Sequence, residues 1–102
     1  MVVKSWSSIF GEDLNESAIR NHFKPESAYL VSFLSYPAGA RFGAATRACF
    51  LLVIRGACKL TTNESVLISA GEFVECGDTR YEFETIGDGA VKLAMVWSLV
   101  SQ

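Results

Sequence analysis

Thr46-Arg47-Ala48-Cys49-Phe50-Leu51-Leu52-Val53-Ile54-Arg55-Gly56-Ala57-Cys58-Lys59-Leu60 is the stretch on which the reading of this chain turns. The seven residues from Ala48 to Ile54 carry no charge and are rich in side chains that favour extended backbone; Arg55-Gly56 then stops the run. A short apolar run of this kind fits a buried strand or a piece of buried helix, and its length and the closing glycine favour the strand. The even positions Phe50, Leu52 and Ile54 are as apolar as the odd positions Cys49, Leu51 and Val53, so both faces of the strand need cover.

Working outward, 102 residues suffice for one domain with a single core. Half of the residues are hydrophobic, 12% are aromatic and the net charge is −2, which describes a globular chain without the basic excess that draws proteins to nucleic acid. The longest apolar run is far shorter than the roughly 18–20 residues that span a bilayer, so no membrane association is expected, and we expect a cytoplasmic protein. Three cysteines, Cys49, Cys58 and Cys76, lie in or beside apolar stretches, as buried free thiols of a reducing compartment do. Their spacings of nine and eighteen residues, with His22 as the sole histidine, do not make a zinc site.

Residues 1–27 read as an arm. Asp13 to Phe23 mixes helix formers with polar residues, sets Leu14, Ala18 and Ile19 on one side, and places Glu12 or Asp13 near the helix start. Pro25 ends it, because the residue before a proline is pushed out of the α region. His22, among polar neighbours, reads as a surface residue. From residue 28 to 102 the pattern changes to short strands and turns. Strands are expected over Tyr29–Tyr36, the central run, Ala57–Thr61, Ser65–Ser69, Phe73–Cys76, Arg80–Ile86 and Ala90–Val100. Residues 43–45 form a small-residue loop, and hairpins turn at Thr62-Asn63-Glu64 and at Gly87-Asp88-Gly89. About seven strands at intervals of roughly ten residues indicate an antiparallel sandwich or barrel. Nucleotide-binding glycine motifs and a nucleophile elbow are absent.

The order of these signals over residues 28–97 resembles the two motifs of the cupin superfamily. A proline-glycine turn at Pro37-Ala38-Gly39 precedes the apolar strand closed by Gly56. A hairpin follows, then Leu67-Ile68-Ser69-Ala70-Gly71-Glu72-Phe73-Val74, a turn and Tyr81-Glu82-Phe83. The resemblance implies an all-β, cupin-like antiparallel jelly-roll β-barrel carrying the short N-terminal helical arm. In that family two histidines and a glutamate precede the strand's closing glycine, and in the second motif a Gly-Asp turn and a proline-glycine loop lead to a third histidine. Here the glutamate position falls on Cys49, the first two histidine positions fall within Phe42 to Ala45, and Tyr81 or Glu82 stands at the third. The metal set is therefore missing, no cofactor is implied, and metal-dependent chemistry does not follow from the resemblance.

With Cys49 facing the barrel, alternation sends Arg47, Leu51 and Val53 inward, and Tyr81 and Phe83 from the facing strand. Arg47, helped by Arg41 and Tyr81, marks a site for an anionic small organic molecule; a rim arginine paired with Glu75, Glu82 or water is the plainer alternative. Tyr81 and Trp97 offer rings for stacking and equally suit a core. The expected ligand-binding set is Arg41, Arg47, Cys49, Leu51, Tyr81, Phe83 and Trp97, with no catalytic residue assigned. Three functions compete. The first is a metal-free small-molecule-binding or sensor domain, similar also to the ligand-binding domains of AraC-type regulators. The second is a metal-independent isomerase or lyase using Tyr81, Glu82 or Glu75 with Arg47. The third is a structural or interaction protein with a filled barrel. The outer face of the central strand can be covered by the N-terminal arm or by a second subunit; a homodimer is expected, because the polar arm offers few apolar groups for the task.

Overall fold

The computed structural model describes residues 1–99. It contains nine strands: β1 Lys4–Ser5, β2 Tyr29–Tyr36, β3 Arg41–Thr46, β4 Cys49–Arg55, β5 Ala57–Thr61, β6 Ser65–Ser69, β7 Glu72–Cys76, β8 Thr79–Ile86 and β9 Val91–Ser98. Two α-helices, α1 Trp6–Phe10 and α2 Glu16–His22, and a 3-10 turn at Pro25–Ser27 make up the rest of the arm. The strands form an antiparallel five-stranded sheet in the order β1-β7-β4-β9-β2 and a four-stranded sheet in the order β3-β8-β5-β6. The fold is an all-β jelly roll, as expected. Val100, expected to close the last strand, lies outside the described residues.

Chain order and sheet order diverge in an informative way. Among the described residues, β5 and β6 are the one consecutive pair that is also hydrogen-bonded, with the turn at residues 62–64 between them. Each other step from β2 onward changes sheet. The expected hairpin at Gly87-Asp88-Gly89 is therefore corrected: β8 and β9 belong to different sheets, and the turn carries the chain between layers. The expected loop at residues 43–45 is likewise corrected. Gly43, Ala44 and Ala45 lie within β3, which pairs with β8 along its whole length, so tertiary pairing overrides weak local propensity.

The core has two layers. Between the sheets lie Cys49, Leu51, Val53, Leu60, Ile68, Val74, Phe83, Leu93 and Met95, all buried. Outside the five-stranded sheet, Trp6, Leu14, Ala18, Ile19 and Phe23 of the arm pack on Leu52, Phe73, Ala94 and Val96. The outer face of β4, expected to need a second subunit, is thus covered by the arm of the same chain. Trp6 is the residue that changes the balance, being 1% exposed and in ring contact with Phe10, Phe23 and Phe73. Fully burying each such side chain stabilises by roughly 1.5–3 kcal/mol.

Local chemistry shapes the arm. Asn15, rather than Glu12 or Asp13, caps α2, its side-chain oxygen accepting the Ala18 N–H at 2.8 Å. Ser5 caps α1, and Gly11 ends it with φ +70. The Trp6 N–H donates to the Gly71 carbonyl at 2.9 Å, which ties α1 to the turn before β7. His22 is exposed, as expected, and its ring lies edge-on to Trp6 and Phe10.

Candidate functional site

One end of the barrel gathers the side chains with chemical potential. Register sets Leu30 of β2, Trp97 of β9, Cys49 of β4 and Cys76 of β7 in a single row across the five-stranded sheet. Trp97, Cys49 and Cys76 pack into the inter-sheet core. The next row inward, Ser32, Met95, Leu51 and Val74, floors it. From the four-stranded sheet, Thr46 accepts the Trp97 Nε1–H at 3.2 Å, and half-buried Tyr81 packs against the same cluster. The N-terminus crosses this end. The Met1 Sδ accepts from the Cys76 thiol at 3.7 Å, and the Met1 ammonium meets the Glu64 carboxylate at 2.9 Å.

Cys49 and Cys76 are 4% and 2% exposed. Contact with the Cys76 thiol, whose one proton has the Cys49 sulfur and the Met1 Sδ as alternative acceptors, holds the Cys49 ionisation below the usual thiol range against an opposing cost of burial. The same contact, with burial, pushes Cys76 up. The contact between the two sulfurs thus favours ionisation at Cys49 over Cys76. Thr46 reinforces this choice: its hydroxyl has one proton, with the Arg47 carbonyl at 2.8 Å and the Cys49 Sγ at 3.6 Å as alternative acceptors. Charge on Cys49 favours the second. Tyr81 is also pushed up, first by burial and then by Tyr36 and the two cysteines.

The expected site residues divide sharply. Cys49, Leu51 and Phe83 are buried between the sheets, and Tyr81 and Trp97 line the same interior. Phe83 does not present a free ring: it stacks on Phe42 and tilts against Tyr36, with centroids 5.0 Å apart in each case. Arg47 is corrected. The chain bends at residues 47–48 before β4 begins, Ala48 N–H donating to the Asp78 carboxylate at 2.6 Å, so alternation does not reach Arg47 and its side chain is exposed. Arg41 is exposed at the start of β3, opposite Glu84, and faces a shallow outer depression with Lys59 and Glu82, apart from the Cys49 cluster. Keeping both guanidiniums in water avoids the several kcal/mol that an unpaired buried charge costs. Glu75 and Glu82 are exposed and do not share the interior with Tyr81. Cys76, Thr46 and Met1 are the neighbours that sequence reasoning did not bring to Cys49.

Among the described residues, no three His, Cys, Asp or Glu side chains are grouped as a metal site requires. The donor chemistry around Cys49, a second thiol, a thioether, a hydroxyl and a phenol, does not fit the histidine-rich metal centre of cupin barrels. The larger open spaces lie outside the barrel. One of about 540 Å³ is lined by Arg20, Phe23, Tyr29, Leu30, Val31 and Leu99. Another of about 390 Å³ lies beside Gly43, Thr61 and Arg80. No helix among the described residues is long and apolar enough to cross a membrane.

No family model matches the chain, and no curated protein matches it by sequence. Solved structures do resemble it. The cupin domain of Schizosaccharomyces pombe Cnp3 superposes with a TM-score of 0.65 at 19% identity, over 76% of this chain and 61% of that one. A cupin 2 conserved barrel domain protein from Salinispora arenicola gives 0.62 at 16% identity, over 70% and 63%. Drosophila melanogaster CENP-C bound to CAL1 gives 0.56 at 14% identity, over 64% and 58%. The match thus spans less than two thirds of each of these chains. At such identities the likeness speaks for architecture, and together with the two antiparallel sheets it shows that this chain has the cupin fold.

Proposed function

We propose that this chain is a cupin-fold interaction domain with a filled barrel that works without a metal and pairs with a second copy along β2. The observation that carries the first part is the interior itself. Its inward positions are occupied by Leu51, Val53, Leu60, Ile68, Phe83, Leu93 and Met95, and both candidate ligand cations lie outside. Among the described residues, an anionic ligand taken into the barrel would meet mainly aliphatic and aromatic carbon and no arginine or lysine, and the Met1 ammonium at its end is already paired with Glu64, which weighs against the small-molecule reading.

The edges of the sheets support β2 as the contact. β1 has two residues, β6 has five, and β3 starts on an arginine. β2 is eight residues long, forms an outer edge of its sheet, and has neither charge nor proline among Tyr29-Leu30-Val31-Ser32-Phe33-Leu34-Ser35-Tyr36. Such an edge, without the devices that normally blunt strand pairing, is suited to a neighbour of the same kind. Leu30 on this strand and Leu99 near its start, 50% and 54% exposed, add apolar surface. The structural neighbour bound to CAL1 is consistent with a cupin fold serving a protein–protein contact.

Sedimentation across a concentration series tests the proposal. We expect a dimer that becomes a monomer when Leu30→Lys and Ser35→Lys together place lysines on the edge, with the fold retained by circular dichroism. A wild-type monomer at the highest soluble concentration, or a dimer indifferent to the two lysines, overturns pairing through β2. A melting-temperature rise with a panel of small carboxylic acids would overturn the filled-barrel reading, because ligand at 100 times its Kd adds about 2.7 kcal/mol.

A further inference from the structure

Cys49 and Cys76 face each other in register across adjacent antiparallel strands, both in the inter-sheet core at the end crossed by Met1. Opposed residues of antiparallel strands have Cα atoms about 4.5–5.5 Å apart, inside the roughly 4.4–6.8 Å range of disulfides, and their side chains share a face. We propose that Cys49 and Cys76 form a reversible thiol–disulfide couple whose oxidant is a small hydroperoxide, with Cys49 the attacking sulfur and Cys76 the resolving one.

The division of roles follows from the neighbours. Cys49 faces the Cys76 thiol in register and lies 3.6 Å from the Thr46 hydroxyl, so two donors are placed to support its thiolate. The Cys76 proton has the Met1 thioether at 3.7 Å as its other acceptor, so Cys76 is the thiol that stays protonated. The choice of oxidant follows from access. With both sulfurs at most 4% exposed, a tripeptide disulfide has no approach, whereas a molecule of a few atoms does.

The chemistry balances in two steps. The Cys49 thiolate attacks one oxygen of the peroxide; an S–O bond forms, the O–O bond breaks, and the departing hydroxide takes up a proton as water. Cys49 is then a sulfenic acid, oxidised by the two electrons that reduced the peroxide. The Cys76 sulfur next attacks the Cys49 sulfur; the S–S bond forms, the S–O bond breaks, and hydroxide leaves with the Cys76 proton as a second water. An external dithiol reverses the couple. Cys58 is fully buried in β5, in register with Ile68 and Thr85, and serves as the internal control.

The test treats the reduced full chain with hydrogen peroxide, removes the peroxide with catalase, then denatures and alkylates the remaining thiols. We expect Cys58 alone of the three cysteines to be alkylated, and a peptide linking Cys49 to Cys76 within one chain. In Cys76→Ser the reaction stops at a sulfenic acid on Cys49, trapped by dimedone. Alkylation of all three thiols after peroxide, a link that includes Cys58, or a link between chains overturns the proposal. Wild-type peptide mapping decides the matter even if the serine variant fails to fold.

Discussion

The five-stranded sheet buries residues on both of its faces, whereas the four-stranded sheet buries one and leaves the other to water. In β4, Leu51, Leu52 and Val53 are buried in succession, and in β9 Ala94 and Val96 are as buried as Leu93 and Met95. In β5, Cys58 and Leu60 alternate with less buried Ala57, Lys59 and Thr61. The outer row of that sheet is Arg41, Glu84 and Lys59, with a Lys59–Glu84 ion pair at 3.3 Å. The difference shows where the arm belongs. An unalternating strand demands a cover, and the apolar residues of the first 23 positions supply it.

If that account is right, the cover and the covered should fail together. Leu52→Ala and Ile19→Ala, each at a fully buried position, should cost about 2–5 kcal/mol apiece. The check is a fall in the urea midpoint at constant slope. A loss below about 1 kcal/mol for Ile19→Ala would mean that the arm is not integral to the sheet.

The inner face of the four-stranded sheet offers a pH handle. Burial pushes the Cys58 thiol up to about 12 from an ordinary value of 9.0. Its folded form therefore favours the neutral thiol. The resulting stabilisation is complete below the unfolded value and is lost as pH rises from about 9 towards 12, at roughly 1.4 kcal/mol per unit. Two units above the ordinary thiol range this amounts to about 3 kcal/mol. Cys58→Val should flatten that alkaline fall in a melting-temperature profile, and an unchanged profile would place the effect elsewhere.

The two sheets are joined after β4 by Gly56, with φ +82. A Cβ there would lie 2.8 Å from the Ala90 carbonyl oxygen, a backbone atom that cannot rotate away. Gly56→Ala should cost about 1–3 kcal/mol through left-handed strain and this clash. Gly71, with φ +89 and open space around it, should suffer the strain alone, so the difference between the two alanine variants measures the crowding at the crossing.

How much of this was legible depended on range. β2, β5 and β6 were readable to the residue, because alternation and polar turns are local signals, and the missing histidines were readable because they are identities. Cover by the arm was one of two options, and the choice between them was not readable. Trp6 sits in a short helix whose five residues carry no periodic pattern, and its importance comes from Phe10, Phe23 and Phe73 meeting it in space. The pairing of Cys49 with Cys76 was hidden for the same reason, since register between β4 and β7 depends on where both strands begin. Arg47 was misplaced by extending alternation through a bend that an Asp78 side chain, thirty-one residues later, helps to hold.

The smallest expected effect bears most directly on the comparison. Lys59 and Glu84 are 41% and 35% exposed, and an ion pair in that setting is worth about 0.2–1 kcal/mol, less at high salt. Glu84 also has Arg41 opposite it on β3, so removing Lys59 leaves a second cation within the row. A double-mutant cycle on Lys59→Ala and Glu84→Ala should therefore return a coupling near the bottom of that range, and Arg41→Ala should raise it modestly by making Lys59 the remaining partner. A coupling well above 1 kcal/mol would require these groups to be withdrawn from water in solution. The outer face of the four-stranded sheet would then be covered like that of its neighbour, and the asymmetry between the sheets would belong to the isolated chain alone.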